Sequence, residues 1–164
     1  MRYVNVQAAM IDTVASLVLL ADDLAKAGKS ADEIAAKLEE MISRGRIYFL
    51  VHTLEYLAKG GRIGKVSALV GGMLNLKVLL TVASDGSFEP VGRERGATAA
   101  LQATVDWIGE RIDATRRAAF AVQHAESPNK AAWLEHAIRE RFTVAELRVI
   151  EAGAVISSHT GTGW

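Results

Sequence analysis

Cysteine is absent from this chain of 164 residues. That excludes disulfides, thiolate nucleophiles and cysteine-ligated zinc, and it fits a reducing compartment, so the expectation is a cytoplasmic protein. Only two prolines occur, and there is no Ser/Gly tract, so no flexible linker or low-complexity segment is expected. Neither sign of charge is in excess, with 19 basic and 19 acidic residues. Long-range steering toward nucleic acid or an acidic surface is therefore not expected, and the basic residues are dispersed rather than striped. Long hydrophobic runs are also missing. The apolar patch from Val14 to Ala21 is too short to span a bilayer, and Asp22 and Asp23 follow it at once. No basic segment with a small-residue cleavage site precedes it, so no signal peptide is read. No HExxH, no GxSxG and no complete P-loop occurs, which removes the usual signatures of metal, serine-nucleophile and nucleotide chemistry.

What is present is an ordinary soluble composition, 50% apolar and 23% charged. It is enough for one good core, or for one domain with part of another. Residues 8 to 27 carry apolar side chains at three- and four-residue spacing (Met10, Val14, Leu17, Leu20, Ala21, Leu24), which predicts a helix stopped by Gly28. Ser30 and Glu33 form a capping box that starts a second helix to about Ser43. Arg46 to Val51 is a predicted strand. Thr53 then caps a short helix from Leu54 to Lys59, ended by Gly60-Gly61. Ile63 to Leu74 reads as a glycine-weakened helix. Leu76 to Ala83 and Phe88 to Arg95 flank Asp85-Gly86, a strong hairpin signal. Helices are expected over Ala97 to Ala114 and from Pro128 to Arg141. Strands are expected over Arg117 to His124, Val144 to Ile150 and Ala154 to Ser158. The alternation predicts an α/β class, with a mixed sheet, an inserted β-hairpin and flanking helices.

Two segments carry candidate chemistry. In Ser157-Ser158-His159-Thr160-Gly161-Thr162-Gly163, an apolar strand delivers a histidine into a Gly/Thr-rich turn. Backbone N–H groups of such a turn can converge as an anion nest, and His159 can donate to a carboxylate or move a proton near neutral pH. The alternative is a polar loop with a solvent-facing histidine. In Gly60-Gly61-Arg62-Ile63-Gly64-Lys65, the cations can meet a phosphate, a carboxylate or an acidic partner, or simply be solvated on a helix–helix turn. His52 follows a predicted strand and precedes a capped helix, His124 ends a predicted strand, and both read as structural or surface histidines. No close ligand spacing joins them, so no metal site is expected. The apolar stretch Leu69, Val70, Met73, Leu74, Leu76, Val78, Leu80 is either ordinary core or the lining of an alkyl tunnel. At roughly 0.8 kcal/mol per buried methylene, a long acyl chain would gain on the order of 10 kcal/mol gross there.

The run TLEYLAKGGRIGKVSALVGGMLNLKVLLTV, the hairpin and helix FEPVGRERGATAALQ, the strand–helix VQHAESPNKAAWL and the ending VISSHTGTG occur in one order. Together they resemble the DegV family of bacterial fatty-acid-binding proteins, mainly its C-terminal domain. The segment from Val6 to Met41 resembles, more loosely, the last helical part of that family's first domain. The resemblance implies a helical remnant over residues 1–45 and a DegV-like α/β domain over residues 46–164. It also implies a long-chain fatty acid as ligand, no cofactor, and a non-catalytic carrier that presents the lipid to a fatty-acid kinase. By the same resemblance His159, Thr160 and Gly161 lie at the carboxylate, Arg62 is a polar contact, and Leu69, Met73, Leu76 and Val78 help to form the acyl tunnel. His52 stands where the family has an aspartate, and Thr162 stands at a family proline. Two other readings remain: a structural, self-associating homo-oligomer that binds no lipid, and a His159-dependent acyl activity with Arg62 at an oxyanion.

Overall fold

The computed structural model describes residues 2–6, 10–69, 76–83 and 85–164. Six strands form one sheet: β1 (Arg2–Val6), β2 (Arg46–Val51), β3 (Leu76–Val82), β4 (Phe88–Arg95), β5 (Ala118–His124) and β6 (Val144–Glu151). Their order across the sheet is β4-β3-β2-β1-β5-β6. β2, β1, β5 and β6 run parallel, whereas β3 and β4 are antiparallel to their neighbours. The sheet is mixed for the reason the hairpin signal implies, since a tight turn can only return the chain antiparallel while helical crossovers restore parallel pairing.

The helices are α1 (Met10–Lys26), α2 (Ala31–Arg44), α3 (Glu55–Lys59), α4 (Ala97–Gly109), α5 (Pro128–Arg141) and α6 (Ala154–Thr160). The capping box forms as its residues predict, with Ser30 accepting from the Glu33 amide and Glu33 accepting from the Ser30 amide. Thr53 accepts from the Glu55 amide at 3.2 Å from one residue before the N-cap, which is Leu54 and not Thr53 as expected.

β2 and β3 are apolar on both faces because both faces are covered there. On one face Tyr48, Leu50, Leu79, Phe120 and Val122 pack against Leu101, Val105 and Ile108 of α4 and Leu134 and Ile138 of α5. On the other, Phe49, Val51, Val78 and Leu80 pack with Leu54, Leu57 of α3 and Val66. Residues i and i+2 share a face of a strand. Thus Leu79 and Leu80 serve different cores although they are adjacent in sequence.

Three expectations are corrected. β1 was not expected as a strand, yet its backbone pairs with β2 and β5 in the middle of the sheet. Five residues with only three apolar side chains carry little periodicity, and backbone pairing on both edges holds the strand instead. Ile63 to Leu74 does not form a regular helix in its described part, where Gly64–Leu69 is a 3₁₀ segment entered with Gly64 at φ 45°. Its remainder from residue 70 lies outside the described residues. The third correction is α6, where Ala154 to Ser158 is helical and not a strand. The serine and threonine side chains that follow its apolar triplet bond back to helix carbonyls: Ser157 to Gly153 at 3.2 Å, Ser158 to Val155 at 2.7 Å and Thr160 to Ile156 at 2.9 Å. These bonds follow from the helical turn rather than select it; the packing of α6 against α3 decides the state of this short segment.

Candidate functional site

α6 packs against α3, and this contact positions His159. The Cα of Gly60, just past α3, faces the imidazole: a Cβ built there would fall inside 3.0 Å of Nδ1 and lie 3.1 Å from Cε1. Glycine is the residue that lets the ring approach the turn this closely. One turn further, Gly161 ends α6 at φ 79°, and a Cβ there would stand 2.7 Å from the Tyr56 ring. The glycines after α3 and α6 therefore interlock, each making room for an aromatic ring of the other element.

His159 Nδ1 is buried and has no hydrogen-bond partner among the described residues. An unpaired polar atom of this kind costs about 1–3 kcal/mol, so its position against a turn with charged neighbours points to chemistry. Arg62 comes to the same turn, donating to the Gly60 carbonyl at 2.6 Å. The structure thus brings His159 and Arg62 to the same glycine, Gly60.

Two backbone donors of the expected anion nest are already engaged. The Gly161 amide donates to the Ser157 carbonyl at 2.8 Å, and the Gly163 amide donates to the Ala125 carbonyl at 2.8 Å. The Thr160 hydroxyl is engaged with Ile156. The last residues are also tied to the segment after β5. Trp164 is buried, its Nε1–H donates to the Gly161 carbonyl at 2.8 Å, and its carbonyl accepts from the Ala125 amide at 3.0 Å. Sequence reasoning assigned Trp164 no role, yet it anchors the end of α6.

Of the expected tunnel residues, Val78 is buried inside the second core cluster and Leu76 packs at its margin. Leu69 ends the 3₁₀ segment, and Met73 lies outside the described residues. A cleft of about 80 Å³ opens elsewhere, between α1, α2 and strands β5 and β6, lined by Leu17, Leu20, Met41 and Ala121 among others. Drug-sized ligands occupy sites of roughly 300 Å³ and more, so this cleft does not hold a long chain by itself.

A second group of polar residues was missed by the sequence reasoning. Lys77 is only 6% exposed, although it opens a strand. It shares a face with Leu79, the face covered by α4 and α5. The Val51–Val78 pair is the last one recorded between β2 and β3, and one step beyond it His52 stands level with Lys77. Lys130, in the first turn of α5, donates to the Gly163 carbonyl at 2.5 Å. Burial, then repulsion from Lys77 and Lys130, holds the His52 imidazole below its usual pKa. Burial lowers the Lys77 ammonium, and burial followed by Lys77 lowers Lys130. A lysine interrupting the apolar run LKVLL was the available signal. Which face it occupies depends on strand register, which only the folded sheet supplies. Among the described residues no group of histidines and acids is arranged to hold a metal, and no helix is long and apolar enough to cross a membrane.

These features define an α/β domain in which a C-terminal helix lays a half-buried histidine, its Nδ1 buried and unpaired among the described residues, against a glycine turn at one end of a mixed sheet. The chain belongs to the DegV family: the model of this family of uncharacterised proteins matches residues 9–164. A DegV domain-containing protein of Streptomyces coelicolor is 37% identical over 146 residues, covering 88% of this chain and 51% of the relative. A solved DegV family protein of Thermus thermophilus, described for its fatty acid binding, is 34% identical with a TM-score of 0.80 over 92% of this chain and 54% of its own. A DegV lipid binding protein of Thermotoga maritima is 26% identical, with a TM-score of 0.79 over 90% of this chain and 51% of its own. The chain therefore spans about half the length of the relatives it matches.

Proposed function

We propose that this chain supplies one wall of a long-chain fatty-acid site, in a protein that carries the lipid without transforming it. His159 donates to the carboxylate, with Thr160 and Gly161 beside it and Arg62 as a further polar contact. Leu69, Met73, Leu76 and Val78 lie along the acyl chain. Residues 46–164 form the lipid-facing domain, and the helices of residues 1–45 belong to the boundary with the remainder of the binding fold. The finer steps of the same reading are presentation of the bound lipid to a fatty-acid kinase and a cytoplasmic location.

The observation that carries the reading is the buried, partnerless Nδ1 of His159, held against Gly60 in a chain of this family. The description of the Thermus thermophilus relative as fatty-acid binding supports the ligand class. The test is native mass spectrometry of gently purified protein, followed by oleate titration of the wild type and His159→Ala. A hydrogen bond to a carboxylate is worth about 1.5–3 kcal/mol, so His159→Ala should weaken oleate about ten- to a hundredfold. Unchanged affinity removes His159 from the site.

A second reading, self-association without lipid, has its own supporting observation. Val14 and Val18, one turn apart on α1, are 58% and 61% exposed, and Ile42 of α2 is 60% exposed. Solitary exposed apolar residues are ordinary, but a continuous stripe favours a covering surface. A concentration-independent monomer in sedimentation would exclude it.

A further inference from the structure

His52, Lys77, His124 and Lys130 gather at one end of the sheet, and the site described above uses none of them. The register shows why they meet. His52 extends the face of Tyr48 and Leu50, Lys77 that of Leu79, and His124 that of Phe120 and Val122. All of these core residues lie under α4 and α5. His52 and His124 sit at the carboxyl ends of β2 and β5, and β3, which is antiparallel to β2, begins at this same end with Lys77 as its second residue. Lys130 overhangs the same end from the first turn of α5. In open α/β sheets the carboxyl ends of parallel strands are where ligands enter.

Neither lysine at this end is ion-paired among the described residues, although Glu94 stands level with Lys77 and Glu151 with His124. No hydrogen bond or ion pair of Lys77 occurs among the described residues, although it is 6% exposed. Glu94 stands level with it across the β3–β4 pair, but no ion pair joins them. Lys130 uses one of its three donors on the Gly163 carbonyl. Ser127, the buried residue before α5, makes no side-chain cap, so the positive end of a 14-residue helix adds to the same field. A buried ammonium is ordinarily paired or bound to something.

We propose that Lys77 and Lys130, with His52 beside them and the start of α5 above, form an oxyanion-binding site for the phosphate or carboxylate group of a small molecule. The site uses different side chains from the His159 turn and does not depend on the lipid reading. Lys77 supplies a fixed charge whose stem is locked by packing. Lys130 supplies an adjustable one, tethered to the C-terminal segment through Gly163. Occupation of the site would therefore be felt at α6 through residues Gly161 to Trp164.

The test follows backbone amide resonances of the full chain near neutral pH and at constant ionic strength. Inorganic phosphate is titrated in one series and sodium acetate in another. Phosphate should shift the amides of His52, of Ala125 to Ser127 and of Asn129 and Lys130 saturably. Lys77→Met, which keeps the apolar stem, and Lys130→Gln should each weaken binding at least about tenfold, with Lys26→Gln unchanged. Acetate saturating the same amides as tightly as phosphate would identify a carboxylate as the preferred group of the same site. No saturable response to either anion, or equal binding by a folded Lys77→Met protein, overturns the proposal. Oleate titration of Lys77→Met keeps the two sites separate: retained oleate binding with lost phosphate binding is expected.

Discussion

Gly60→Ala is the sharpest probe of the way α3 and α6 hold His159. The new methyl group would lie inside 3.0 Å of Nδ1, 3.1 Å from Cε1 and 3.2 Å from the Tyr56 carbonyl. The backbone at Gly60 has φ −79° and ψ −1°, which alanine adopts freely. The whole effect is therefore steric. Either the imidazole swings out of its buried place or α6 moves away from α3. Overpacking of this kind costs about 1–3 kcal/mol. At about 2–4 °C per kcal/mol for a chain of this size, the melting temperature should fall by roughly 2 to 12 °C. Gly153→Ala, at the start of α6 with φ −71° and nothing within 4 Å of the added methyl, is the control and should stay within about 0.5 kcal/mol. Thermal melts give the stability. The His159 ring resonances report its displacement, and oleate affinity should drop toward that of His159→Ala. A Gly60→Ala protein with wild-type melting temperature and unmoved ring resonances would refute the described packing of His159.

Two further outcomes rest on other parts of the molecule. Tyr48 is fully buried with its ring edge-on to Trp107 at 4.3 Å, and its hydroxyl has no partner among the described residues. Tyr48→Phe keeps the ring contact and removes the orphan, so unfolding free energy in urea should rise by about 1 kcal/mol; a loss of that size would mean the hydroxyl is satisfied. The His52 imidazole has a folded pKa below its ordinary 6.5, so the unfolded state binds more protons between the two values. Its contribution is neutral above about 6.5, and stability declines as pH falls from there through the lowered value. Urea midpoints against pH should show this acid-side slope, and Lys77→Met should reduce it by removing one repelling cation. An unchanged slope would separate the two groups.

Much of the fold follows from local residue chemistry. Ser30 and Glu33 specify a helix start that needs no distant partner, and Asp85-Gly86 between two apolar runs specifies a hairpin. Pro128 at the first position of α5 likewise marks a helix start locally, although Ser127 before it makes no side-chain cap. Where a segment's state depends on what lies beside it, the residues are ambiguous. The Ala154 to Ile156 triplet has a strand's composition but becomes helical, because Tyr56 and Gly60 offer α6 a surface to pack on. β1 shows the opposite case, a weak strand held by pairing on both edges. The 3₁₀ segment from Gly64 to Leu69 falls between them, since glycine lowers the helical preference without naming the replacement.

The candidate site divides in the same way. Motif order along the chain was sufficient to single out His159 and Arg62 and to reveal the DegV family. That order is a property of the covalent sequence. The meeting of His159 with Gly60, the engagement of Thr160 with its own helix and the anchoring by Trp164 required the tertiary structure. Each depends on two elements far apart in the chain reaching van der Waals or hydrogen-bond distance. The same holds for Lys77, His52 and Lys130. Their charges are plain in the sequence, but their convergence is set by sheet register and by the placement of α5, which pairwise backbone bonding and core packing decide together.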